Sequence, residues 1–245
     1  MTAIGFNSIS KPSGQVSVRK IGATVNAPLS WKVRNTLRWG FIKGWLAARV
    51  VAPFANAFGL MTAIGDLQLK VRRWYDDLER EHFVGLLRQG RIEDAEDYAK
   101  TRTYWQDYGI VSYRVVTDAG VAYLVDDFDN GAGSADVSLF NFHGIGTTNT
   151  AEAAGDTALA NESTTALNPD NTRATGTRSQ PAANQYRSTG TLTADASIGA
   201  VEHGLFTTSG TGSGTLWDRS VYTIVNLASG DSIQTQYTVT FTAGG

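Results

Sequence analysis

The sequence predicts a mainly β protein: an antiparallel, jelly-roll-like β-sandwich preceded by a helical region and an extended basic arm. Three observations carry this. Residues 1–65 hold eight Lys/Arg and no Asp or Glu, while Lys is absent from Ile110 onward and Thr, Ser, Gly, Ala and Asn take over. From Ile110 the apolar period changes to two, with short alternating runs separated by Gly- and Asp-containing turns. About eight such runs at this spacing suit a sandwich or jelly roll.

The predicted organisation is an arm over 1–30, a helical anchoring region over 31–109 and a β module over 110–245. In the arm, Gly, Pro, Ser and Thr are scattered without a sustained period, and only Gln15–Val25 alternates well enough for a strand. Ser30 is placed to cap a helix that starts at Trp31. Val33, Leu37, Phe41, Trp45 and Ala48 share its apolar face, and Pro53 is expected to break it near Val51–Ala52. Phe54–Ile64 reads as a short helix or packed turn. Asp66 is the expected N-cap of a next helix bearing Leu67, Val71, Trp74, Leu78, His82, Phe83, Leu86 and Leu87. Gly90 is its stop. Ile92–Tyr108 is a further expected helix, with Glu93, Asp94, Glu96 and Asp97 near its favourable N-terminal end, ended by Gly109.

In the β module, Val111–Val116 and Val121–Phe128 form an expected hairpin about the turn Asp118-Ala119-Gly120. Val137–Gly144 is the next expected strand. Residues 145–170 read as loop with one helical turn near Thr157–Thr165. Arg173–Arg178, Gln185–Asp195, Ile198–Phe206, Leu216–Val225 and Ser232–Thr242 complete the set.

Charge divides the chain further. The net charge of −2 combines a basic N-terminal third with a C-terminal segment, 111–245, that carries five Arg and thirteen acids. Such asymmetry suits polyanion binding by the arm or head-to-tail packing between copies. The chain has no cysteine, which excludes disulfides, Cys-based zinc sites and a Cys nucleophile. MTAIGFNSIS lacks the charged and apolar regions of a signal peptide. Lys43, Arg49, Pro53 and Asn56 interrupt the apolar stretch 40–65, so no membrane span is expected.

Catalytic and metal-binding patterns are weak. His143 and His203 each precede Gly in β-segments, and a shared metal site with Glu202 would need a third compact ligand motif. Asp126, Asp127, Asp129 and Asp136 lack the spacing of a Ca²⁺ loop. Gly144-Ile145-Gly146 lacks the third glycine and the strand-to-helix context of a phosphate cradle. Glu79, Glu81, Glu93, Asp94, Glu96 and Asp97 read as a solvated helix face, with no aromatic cleft pattern around them. No nucleophile–base set is present, so the expectation is a non-enzyme with no cofactor and no metal. Lys32, Arg34, Arg38, Lys43 and Arg49, interleaved with Trp31, Trp39 and Trp45, form the candidate partner-anchoring set. Trp and Arg dominate protein interfaces, so docking to protein is favoured over nucleic-acid contact.

The runs Phe140–Thr164, Asn171–Thr177, Val201–Phe206, Leu216–Tyr222 and Asn226–Gly245 resemble a β module of bacteriophage virion accessory and fibre-type structural proteins. An acidic residue precedes a Gly-Leu-Phe segment, a glycine-rich turn and a Leu-x-Arg strand follow, and an Asn-Leu, Gly-Asp, Thr-rich strand closes the module. The likeness covers residues 111–245 and carries over no catalytic residue. It implies a virion location and other capsid or tail proteins as partners. The expected role is a capsid-attached decoration or minor capsid protein, a homo-oligomer such as a trimer. The alternative is a tail or fibre component whose β module contacts the host surface.

Overall fold

The computed structural model describes residues 24–129 and 136–243. The arm's Gln15–Val25 strand therefore lies mostly outside the described residues. Its end, Thr24–Asn26 (β1), pairs in parallel with Thr103–Val115 (β3). The fold class matches expectation: mainly β, with helices concentrated toward the N-terminus.

Two sheets face each other. The larger runs β1, β3, Thr62–Trp74 (β2), Ser232–Thr242 (β11), Gln185–Ala194 (β8) and Leu167–Asn168 (β5), with Thr177–Ser179 (β7) also on β8. The smaller runs Leu216–Leu227 (β10), Ile198–Phe206 (β9), Phe142–Gly146 (β4) and Ala174–Thr175 (β6). Leu67, Leu69, Val71, Ile233, Tyr237 and Val239 from the first meet Ile145, Ala200, Leu205, Tyr222, Val225 and Leu227 from the second in one buried cluster.

Strand β2 corrects the expected helix from Asp66. Leu67 and Val71 fit a helical period, but Leu69 falls between them, and burial alternates along Leu67–Val71. The period is two. β2 pairs antiparallel with β11 over eleven residues and with β3 on its other edge. A helix does follow, Asp77–Arg88 (α4), capped by Asp76, whose carboxylate accepts the Leu78 N–H at 2.7 Å. The expected helix 92–108 stops early as Ile92–Ala99 (α5), and the boundary expected at 109/110 falls inside β3. Gly109, expected to end a helix, sits in a β-bulge of β3 with φ +69°. Helices α4 and α5 pack around Trp74, Phe83, Leu86, Ala95 and Ala99, and the Trp74 indole donates to the Gly230 carbonyl at 2.7 Å.

The expected hairpin about Asp118 is replaced by a helix, Asp118–Asp129 (α6). The Thr117 hydroxyl caps it by accepting the Gly120 N–H at 3.0 Å, and Tyr123 and Leu124 pack on the core. The segment expected as a strand from Val137 begins as a 3₁₀ turn, Val137–Leu139, and residues 157–165 contain no helical turn.

Residues 147–166 have little regular structure, and buried ion pairs fix them. Glu202, fully buried, accepts the Ala160 and Asn161 N–H groups and pairs with Arg219. Arg219 also reaches Asp156 at 3.0 Å. Arg173 holds Glu162 through two hydrogen bonds, with its guanidinium 3.4 Å from the Phe206 ring centroid. Buried charges need such partners, because breaking one costs about 3–5 kcal/mol.

Full burial of Leu67, Leu69 and Val71 is worth about 2 kcal/mol each, which together rivals a domain's net stability of about 5–15 kcal/mol. A chain beginning at residue 110 lacks β2 and the first half of β3. It is expected to show no cooperative thermal transition by circular dichroism, whereas the full chain melts in one step. A sharp transition in the truncated chain would contradict the central place of β2.

Candidate functional site

The basic, apolar segment 29–61 folds as a helical layer on the outside of the sandwich. It comprises Leu29–Thr36 (α1), Trp39–Leu46 (α2), a π-helical turn Ala47–Val51 and Ala52–Ala57 (α3). The single helix expected from Trp31 is thus broken at Arg38, whose backbone is extended. Helix α1 starts at Leu29 after Pro28, without the expected Ser30 cap. Pro53 does not end the helical run. It occupies the first turn of α3, next to the wide π turn, where a missing N–H costs little.

Two contacts seat the layer. Asn35, nearly fully buried, donates from Nδ2 to the Val111 carbonyl at 3.0 Å and accepts the Thr223 N–H on Oδ1 at 3.1 Å. One side chain thereby bridges β3 of the large sheet and β10 of the small one. Helix α2 rests on β3 through glycine. A Cβ at Gly44 would sit 1.9 Å from the Tyr113 carbonyl oxygen, and one at Gly40 would sit 2.8 Å from the Arg114 guanidinium. Arg114 donates to the Gly40 carbonyl at 2.7 Å and pairs with Glu152. Burial lowers its pKa to about 10, with Asp218 opposing and Arg38 adding to the shift.

Glycine faces the sheet, Phe41 packs edge-on to Tyr113 of β3 at 5.5 Å, and Trp39, Trp45 and Leu46 of α2 face outward. Trp39 is 66% exposed, as is Phe54. Leu29, Val33, Leu37, Trp45, Leu46, Val50, Val51, Phe58, Leu60 and Met61 are exposed with them. Phe54 and Phe58 pair at 4.8 Å, and the Lys43 amino group lies 5.4 Å from the Trp39 ring centroid. A contiguous segment with this many exposed large apolar residues is the signature of an interaction surface.

The candidate anchoring residues divide. Trp39, Lys43, Trp45, Arg34 and Arg49 are exposed on the layer. Lys32 and Arg38 are half-buried, and burial lowers the Arg38 pKa. Trp31 is a correction to the anchoring set. It is buried in the main core, edge-on to Tyr108 at 4.6 Å, and is unavailable to a partner. Of the apolar face expected from the spacing, Val33, Leu37 and Trp45 are exposed, while Phe41 and Ala48 are half-buried. The Gly40-x-x-x-Gly44 spacing was the signal for the true inward face of α2. Leu29, Leu46, Phe54, Phe58 and Met61 extend the surface beyond the predicted residues.

The other polar cluster lies inside the sandwich. His143 Nδ1 is 3.0 Å from His203 Nε2 and 3.0 Å from Thr235 Oγ1, while His143 Nε2 is 2.8 Å from Ser188 Oγ. Both rings have zero exposure. Glu202 does not join them: adjacent strand residues point to opposite faces, and its carboxylate binds the 160–161 backbone. Among the described residues no group of three His, Cys, Asp or Glu is placed to hold a metal ion. Asp218, also at zero exposure, accepts from Ser220 at 2.7 Å.

Burial disfavours the charged form of each of these groups. It lowers the His143 pKa to about 3, and it lowers His203 well below the ordinary value, with His143 adding to the shift. It pushes Asp218 up to about 7 against the opposing pull of Ser220 and Arg114.

The unfolded chain binds protons at the histidines below pH 6.5 and the folded chain does not, so they make stability fall as pH falls. The folded chain keeps the Asp218 proton up to about pH 7 and the unfolded chain has lost it, so Asp218 makes stability fall as pH rises above 3.8. Between these limits Asp218 offsets one histidine. Replacing Asp218 with Asn is expected to steepen the loss of unfolding free energy on acidification by about 1.4 kcal/mol per pH unit in the window from about pH 6 to 4.5. Urea unfolding of both proteins across that window measures the slopes, and identical slopes would contradict the assignment.

No family model, curated protein or solved structure matches the chain, so the reading of the site rests on its own geometry.

Proposed function

We propose that this chain is a structural protein of a bacteriophage virion, a capsid-attached decoration or minor capsid protein. It docks through the α1–α3 layer and presents the sandwich away from the particle. The exposed apolar layer carries the reading. Twelve large apolar side chains of residues 29–61 are exposed, on a sandwich whose other large side chains are mostly packed. Hydration of that surface is unfavourable at roughly 25 cal/mol per Å², which a partner surface relieves.

The interleaving of cations with tryptophan and phenylalanine suits a protein partner better than a phosphate backbone, which calls for a continuous basic track. The interior polar groups support a structural role as well. His143, His203 and Asp218 have no exposure through which a substrate could reach them. The segments that resemble phage structural proteins supply much of the small sheet and the ion-paired 147–166 segment. No helix among the described residues is long and apolar enough to cross a membrane.

The test is incorporation into particles. Phage is grown carrying either the Trp39→Ala, Trp45→Ala, Phe54→Ser triple variant or the single Arg34→Ala variant, and purified particles are probed for the chain. The aromatic variant is expected to be lost from particles and the arginine variant retained, because buried aromatics dominate interfaces and rim charges contribute little. Full retention of the aromatic variant would overturn the reading.

A further inference from the structure

We propose that the α1–α3 layer of one copy docks on helix α6 of a second copy, head to tail. This rests on reading the layer as a docking surface and adds the identity of one partner. Helix α6 turns Tyr123 and Leu124 inward and leaves Val121, Val125 and Phe128 exposed, at 50%, 58% and 78%. Their spacing of four and three residues makes one stripe along the helix. Asp118 and Asp126 are exposed beside it, and α6 contains no Lys or Arg.

The layer is the counterpart. It is apolar, carries exposed Arg34, Lys43 and Arg49, and contains no Asp or Glu in residues 29–61. Both stripes are exposed in the single chain, so neither covers the other within it.

The charges select the pairing. Layer against layer would bring cations together, and α6 against α6 would bring carboxylates together, each unfavourable. Layer against α6 matches apolar with apolar and cation with carboxylate. Two different patches make a heterologous contact, which builds a ring if the rotation closes and an open chain if it does not.

Two double variants test this: Arg34→Glu with Lys43→Glu on the layer, and Asp118→Lys with Asp126→Lys on α6. Sedimentation velocity of the full chain at low salt reads self-association against concentration. The native chain is expected to associate, each variant alone to associate about tenfold more weakly, and an equimolar mixture to recover, because each reversed surface then meets its complement. Phe128→Ser, which leaves all charges in place, is expected to weaken association too and guards against a charge variant that fails to melt cooperatively.

A native chain that stays monomeric overturns the proposal, as does an α6 variant that associates like the native chain or a mixture no better than its components. If self-association fails while the aromatic layer variant is still lost from particles, the virion reading stands and the head-to-tail contact falls. If self-association holds while that variant is retained in particles, the reverse is true.

Discussion

Strand β2 is hydrogen-bonded to β11 on one edge and to β3 on the other, and the rest of the molecule depends on that double pairing. It places the C-terminal strand beside residues 62–72, so the Lys-free half cannot complete its larger sheet without the preceding half. It also fixes what flanks β2 in the chain. The α1–α3 layer enters immediately before it, and the α4–α5 hairpin leaves immediately after it, tied by Trp74 to the turn between β10 and β11. The compositional divide at residue 110 is a change of surface chemistry within one sandwich.

The layer gains definition from that scaffold. Asn35 reaches both sheets, and the Gly40 and Gly44 face lets α2 approach the β3 backbone closely. A helix seated by glycine leaves Trp39, Trp45 and Leu46 available for the outside. That inverts the usual amphipathic arrangement, and it explains how a segment of high apolar content is largely exposed. The cations of residues 32–49 then frame an apolar surface, which suits docking in which charge guides and burial holds.

The parts of the fold legible in the sequence are those where period and punctuation agree. β9 and β11 run as read because Gly- and Ser-containing turns bound them, although β11 pairs with β2 far away in the sequence. Over β2 the sequence suggests a helix because Leu67 and Val71 satisfy both periods, and only Leu69 distinguishes them. Over α6 the sequence suggests a strand because the Val- and Phe-rich run has strand propensity, while the helix cap, Thr117, precedes the expected turn. Tertiary context decided both. Within the site, exposed cations and aromatics were legible as interface types. The burial of Trp31 was not, because periodicity gives a face and not the direction in which that face points.

The most direct test is native-state hydrogen exchange of the full chain. If β2 is the centre of one cooperative sandwich, the slowest amides of residues 67–71 and those of residues 233–239 open with the same free energy, equal to that of global unfolding. A β2 that exchanges through a much smaller opening, while β11 stays protected to the global limit, would contradict the account.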